Sequence, residues 1–306
     1  MWMRLQMRPS EPWTDLLPAG ENTCGPVEQK FFARFFSKTR CFPLLSPRFW
    51  TVRGKLDKKR YRIIALSSFL LLFGVWWGVT SAGLIDPLFL PGPGAVVSRF
   101  FNWLLYEDLL NDTGISLYRV MAGFALSAVM AVPLGLYIGA YQPVRAFFEP
   151  LMEFSRYLPA VAFVPLVLLW AGIGEGSKIA LIWIGTFFQM VLMISDDVAR
   201  VPQAQIEAAR TLGATNTEVV NLVLLRSALP AIFDTLRLTL GFAWTYLVVA
   251  EMVGADSGLG YAILRSQRFL QTDSIFVGII VIGLIGLVTD QSLRFIHRKL
   301  FPWARS

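Results

Sequence analysis

Pro202 to Pro230, PQAQIEAARTLGATNTEVVNLVLLRSALP, is a polar stretch set between strongly apolar runs. Pro202 suits the first turn of a helix, where its missing N–H would find no intrahelical partner anyway. Gln203 to Leu212 then reads as a short helix, closed by Gly213 in the left-handed conformation. Thr215 followed three residues later by Glu218 is a capping box, so a second helix opens there. The expectation is helix, glycine break, helix. Glu207, Ala208, Ala209 and Gly213 place a charge, two small side chains and a pivot on one short element. Small side chains let another protein's surface approach the backbone, and the glutamate offers a salt-bridge handle. The bland alternative is an ordinary connection between two membrane helices, and the flanking chain must decide.

Outward from this stretch the chain is apolar. Of 306 residues, 55% are hydrophobic and 16% charged, a balance that excludes an ordinary soluble domain and fits an integral membrane protein. The net charge of +7 is unevenly placed. Residues 1–62 carry 13 Lys/Arg against 5 Asp/Glu, a net of +8, and the rest of the chain nets −1. The basic balance therefore belongs to the N-terminal segment and does not signal nucleic-acid binding. Basic residues bunched before a first apolar span are what the positive-inside rule expects of a cytoplasmic N-terminus.

Within residues 1–62, a signal peptide is not expected, because Met1 to Cys24 holds no apolar core. In Pro26 to Phe42, the residues Phe31, Phe32, Phe35 and Phe36 share one helix side and Lys30 and Arg34 another. That suits either a helix lying on anionic lipid or a structureless extension. Arg53 to Arg62, RGKLDKKRYR, is a basic clamp just inside the membrane.

Six apolar spans follow, judged against the roughly 20 residues a helix needs to cross the hydrocarbon. They are Ile63–Ala82, Gly114–Ala140, Tyr157–Gly172, Lys178–Ser195, Ala231–Val253 and Ser274–Ile296. The third is short and holds Pro159 and Pro165. Ala95 to Leu105 reads as a short helix after the rigid turn at Leu90–Gly94, Tyr141 to Arg156 as a mixed-charge connector, and Gly254 to Asp273 as a loop. Gly135 and Gly139 form a small-xxx-small face on the second span. Six spans put both termini on one side. The first outer loop holds Asp86, Glu107, Asp108 and Asp112 against Arg99 alone, while the tail His297–Arg298–Lys299 is basic. Charge and span count agree, so Pro202–Pro230 is expected in the cytoplasm.

Several chemistries are missing from the sequence. It contains no GxxxxGK[ST] loop, so nucleotide is not hydrolysed here by that route. It has no GxSxG elbow, and its one histidine, His297, has no nearby nucleophile. Cys24 and Cys41 fit neither a disulfide framework nor a zinc site. Gly172, Gly174 and Gly176 mark a turn between spans, with no strand before them. Asp234 with Arg237 and Asp290 with Arg294 are spaced to pair on a helix face. Glu251 has no close partner in sequence, and two readings stand: pairing with a distant base such as Arg265 or Arg268, or a gate or pathway residue. Thr186, Gln189, Met190 and Met193 fall on one face of the fourth span, and Thr239, Phe242, Tyr246 and Val249 on one face of the fifth. Such faces are commonly packing surfaces, and a pathway role follows only if both converge.

The arrangement resembles the permease subunit of an ABC importer. Pro202–Pro230 is similar to that family's EAA loop, E-A-A, three residues, G, nine residues, then I-x-L-P. Glu207–Ala208–Ala209 and Gly213 match it, Val223 stands for the isoleucine, and Arg226 stands where the pattern has proline. LPGPGAVV, SLYRVMAGFALS, LPAVAFVPLVLLWAGIGEGSK and AEMVGADSGLG resemble the nitrate, sulfonate, taurine and bicarbonate branch, in order, over Leu88 to Trp303. The resemblance implies an all-α membrane protein of six transmembrane helices, the type I ABC importer permease fold with a cytoplasmic coupling helix. It implies a permease domain, 63–300, in a bacterial inner membrane with both termini cytoplasmic, and it does not cover the basic N-terminal extension, 1–62, which is longer than the branch leads one to expect. Its implied partners are two ATPase subunits, a solute-binding protein, a second permease copy and membrane lipid. The chain itself is implied to bind no cofactor and no metal, ATP being used by the partner. Glu207, Ala208, Ala209, Arg210 and Gly213 are the implied ATPase-coupling residues. Thr186, Gln189, Met190, Met193, Thr239, Phe242, Tyr246 and Glu251 are the candidates for a translocation pathway. The implied cargo is a small anion such as nitrate, a sulfonate such as taurine, or bicarbonate, with a pyrimidine-type thiamine precursor or another small solute as the alternative for the same importer class. A secondary transporter is the competing reading of the whole chain.

Overall fold

In a computed structural model, residues 57–304 are described. The Phe/Lys segment 26–42, both cysteines and the first part of the basic clamp lie outside them. The chain divides into two units, 1–72 and 73–306. Among the described residues of the first unit, the start of helix α1 (Lys58–Ser81) exposes Phe69, Leu70, Leu71 and Leu72. An apolar helix bare on all sides is suited to lipid rather than water.

The second unit holds the end of α1 and nine further helices among its described residues. They are α2 (Pro93–Tyr106), α3 (Leu109–Ala140), α4 (Gln142–Arg156), α5 (Val164–Ala171) and α6 (Glu175–Ala199), then α7 (Gln203–Thr211), α8 (Asn216–Met252), α9 (Leu259–Arg268) and α10 (Thr272–Leu300). Among the described residues, five helices are long and apolar enough to cross a membrane: α1, α3, α6, α8 and α10. A sixth span exists only as a bent pair, α4 followed by Ala160–Ala171, turned by 86°. The expected third span at 157–172 is therefore corrected. Pro159 and Pro165 deny it a continuous helix, and the stretch read as a connector is itself helical, with Arg145 and Glu149 paired at 2.7 Å.

The core is the pair α3 and α6, which run side by side in the same direction. Gly123, Ser127, Ala131, Gly135 and Gly139 recur every four residues along one side of α3. A Cβ on Gly135 would lie 2.8 Å from Ile194, and one on Gly139 2.7 Å from Val198. The expected small-residue face is thus the seam on which two backbones meet. Helix α8 packs on α6, with Ala228, Ile232 and Leu224 in the same core as Met190 and Ile194. Helix α10 lies against α8, tied by Arg237 to Asp290 at 2.8 Å.

Two boundaries differ from expectation. The second helix of Pro202–Pro230 does not stop before the fifth span, because it runs through a π-helical turn at Val219–Leu224 and past Pro230 into the rest of α8. The stretch read as a loop at 254–273 contains α9, an amphipathic helix too short for its pattern to stand out.

Candidate functional site

The exposed element at one end of the bundle is α7, in which no residue is buried. Its C-terminus is closed by two bonds, Gly213 N–H to the Arg210 carbonyl at 2.9 Å and Ala214 N–H to the Ala209 carbonyl at 3.1 Å. With Gly213 at φ +85 this is a Schellman motif, a conformation a Cβ would strain. The capping box is formed as expected: Glu218 accepts from the Thr215 N–H at 2.8 Å, and Thr215 accepts from the Glu218 N–H at 3.4 Å. Ile206 and Ala209 turn toward the core beside Ala214, while Glu207, Ala208, Arg210 and Leu212 face outward. Of the two alanines, only Ala208 therefore presents a fully bare small surface. Ser227 on α8 donates to Gln205 on α7 at 2.7 Å. The helix is clamped at both ends and open along one side.

At the opposite end lies a buried ion cluster. Arg119 on α3, 1% exposed, donates to Glu251 of α8 at 2.7 Å, to Glu175 of α6 at 2.6 and 2.7 Å, and to the Ser257 carbonyl at 2.7 Å. Glu251, fully buried, also accepts from Ser116 at 2.8 Å and from the Gly260 N–H at 2.8 Å. Lys178 reaches Glu175 at 3.0 Å. Four helices are pinned at one point, and each buried charge is both paired and hydrogen-bonded, the condition under which buried charge is tolerated. Neither suggested partner of Glu251 is the real one: Arg119 is, and Arg265 instead lines an open hollow beside Asp112 and Tyr261. A signal for Arg119 existed. SLYRVMAGFALS carries Arg119 of the cluster, AGIGEGSK carries Glu175 and Lys178, and AEMVGADSGLG carries Glu251.

The two mid-helix faces divide. Thr186 is fully buried, sharing a hydrogen with Ser127 at 2.6 Å, and Met190 is buried beside it in the core. Thr239 is buried and donates to the Thr235 carbonyl at 2.9 Å. Met193 and Val249 are half-buried. These five side chains pack helices together. Gln189, Phe242 and Tyr246 do converge, on a cavity of about 310 Å³ that Ser155 and Arg156 also line. Gly185 is what lets them meet, because a Cβ there would lie 2.5 Å from Cγ of Tyr246.

The family model for the binding-protein-dependent transport system inner membrane component matches residues 131–302. The chain is 35% identical over 245 residues to the taurine transport system permease protein TauC of Escherichia coli (strain K12), covering 78% of this chain and 89% of that one. It is 34% identical over 256 residues to the putative aliphatic sulfonates transport permease protein SsuC of Bacillus subtilis (strain 168), covering 83% and 93%. Among solved structures, a bacterial alginate ABC transporter in complex with alginate pentasaccharide-bound periplasmic protein shares the fold. The TM-score is 0.55 at 15% identity, over 79% of this chain and 97% of that one.

Proposed function

The chain belongs to the family of binding-protein-dependent transport system inner membrane components, and on that premise we propose that it imports a small sulfonate-type anion, with α7 as the docking point for its ATPase. It is a multi-pass membrane permease of an ATP-driven importer, translocates solute and is not itself an enzyme. Such a subunit works with an ATPase and a solute-binding protein.

What carries the docking proposal is α7: an exposed helix, fixed at both ends, showing Glu207, Ala208 and Arg210 on its free side. A chain without a phosphate loop needs that kind of contact to receive work from ATP hydrolysed elsewhere. Because α8 continues from the loop without a break, a push on α7 reaches the transmembrane bundle through Ser227 and the π-helical turn. A π-bulge in a helix is a frequent mark of functional sites. The cargo reading is supported by relatives named for taurine and aliphatic sulfonates, each more than a third identical. The charge bias supports both termini and α7 on the cytoplasmic side.

The combined variant Glu207→Lys, Gly213→Asp is expected to reach the membrane but lose the ATPase on co-purification, with uptake abolished. Full ATPase retention with normal uptake would sink the docking role. Calorimetry of the partner binding protein with taurine tests the cargo, which fails if no sulfonate binds.

A further inference from the structure

The cavity of about 310 Å³ between α4, α6 and α8 has one charged group in its lining, Arg156, and no carboxylate. Gln189 lies 14 residues into α6, about 21 Å from the start of that helix at 1.5 Å per residue. The cavity is therefore near the middle of a bundle made to span a membrane. Arg156 stands at the last residue of α4, where the bent pair breaks. Its Nη2 donates to the Tyr157 hydroxyl at 3.0 Å, and its guanidinium carbon sits 4.9 Å from the centroid of the Tyr157 ring. Among the described residues it has no carboxylate partner, whereas Arg119, Arg145 and Arg237 each have one.

From this the geometry points to an intramembrane binding site for a small solute oxyanion, with Arg156 as the residue that recognises its charge. The Arg156 side chain is exposed and faces no carboxylate in the cavity lining, so it is open to an incoming anion, and intramembrane bases commonly mark substrate pathways. Its planar fork matches two oxygens of a sulfonate or carboxylate head. Gln189 and Tyr246 place an amide and a phenol on the same cavity, and Phe188 and Phe242 supply apolar wall for a short carbon chain. The volume lies at the lower end of the roughly 300–1,000 Å³ of small-molecule sites. One cation without a second also suits a transit site, since passage needs binding weak enough to release. The inference rests on the importer reading above only for which anion passes.

The test separates the two. In the full-length chain with Cys24→Ser and Cys41→Ser, assembled with its ATPase in liposomes, Gln189→Cys is reacted with two thiol reagents. One is the anionic sulfonatoethyl methanethiosulfonate and the other the cationic trimethylammonioethyl methanethiosulfonate. The anionic reagent is expected to react faster by about tenfold or more, the usual effect of a charged cleft on local counter-ion concentration. Arg156→Gln should erase that preference and Arg156→Lys keep part of it. A ratio that Arg156→Gln leaves unchanged, or a thiol in the Gln189→Cys variant that reacts with neither reagent until the protein is unfolded, overturns the proposal. So does a preference seen in phosphatidylcholine liposomes but lost when phosphatidylglycerol is added, which would assign the site to a lipid headgroup. With the binding protein present, Arg156→Gln is expected to cut taurine uptake about tenfold while stimulated ATP hydrolysis continues. Unaltered uptake counts against the site. If the unsubstituted chain moves no taurine, the cargo reading fails and the labelling ratios still decide on Arg156.

Discussion

Arg119 directs its guanidinium nitrogens to Glu251, Glu175 and Ser257, yet the three contacts differ in worth because their surroundings differ. Glu251 is fully buried, and Glu175 is 47% exposed. Breaking a buried pair strands a charge at a cost of about 3–5 kcal/mol, whereas an exposed pair contributes about 0–1 kcal/mol. Arg119→Met is therefore expected to lower the melting midpoint of the detergent-purified chain sharply, and Glu175→Gln only slightly. Arg119→Met combined with Glu251→Met should recover much of the loss, because no buried charge is left unpaired. Equal melting of the single and double variants would show that packing, not the stranded carboxylate, sets the cost. In sequence, Glu251 was legible as a carboxylate wanting a partner. The partner was not, because Arg119 is separated from it by 132 residues and only packing brings them together.

Helix α3 meets α6 along residues with little or no side chain, and the closeness of the two backbones follows from that. On Gly139 a Cβ would lie 2.7 Å from both the Ser195 carbonyl and Val198, so any larger group must force the helices apart. Gly139→Leu is expected to abolish accumulation of folded protein, or to cost more than the ~1–3 kcal/mol typical of overpacking. Gly283→Leu, on α10 with open space around its Cβ position, should be silent. Size-exclusion profiles of the two variants check this, and a well-folded Gly139→Leu would refute the seam. The seam was half legible: Gly135 and Gly139 showed it, and Gly123, Ser127 and Ala131 extend it toward the start of α3. The helix at 142–156 and α9 were not legible as such. Their charges suggested connection, and neither has the long apolar run by which a membrane helix announces itself.

The whole molecule exposes Leu169, Trp170, Ile173, Leu238 and Phe242, more apolar surface than one bundle needs for itself. Some of that surface faces lipid. The cavity holding Arg156 is also open on one side, and a pore of two copies related by a two-fold axis would close it. Native mass spectrometry of the chain co-expressed with its ATPase is expected to find two permease copies and two ATPase copies. A complex with a single copy of this chain, or with a different second permease, would rule out the symmetric pore.

The sequence by itself determined that the protein is helical and membrane-embedded, most of the elements that cross, and that a helix–glycine–helix stretch lies between two of them. Those features are local: run length, glycine position and a three-residue capping spacing depend on neighbours a few residues away. Only the tertiary structure decided that Glu251 answers to Arg119, that Thr186 and Thr239 are packing while Gln189 and Tyr246 open on a cavity, and that Ala209 turns inward and Ala208 outward. Each of these depends on how helices far apart in the chain rotate against one another. That rotation is set by the small-residue seam and by Gly185 making room for Tyr246. For Pro202 to Pro230, local rules described the turn and the caps. The long-range packing of α7 on α8 decided which side of the helix remains free.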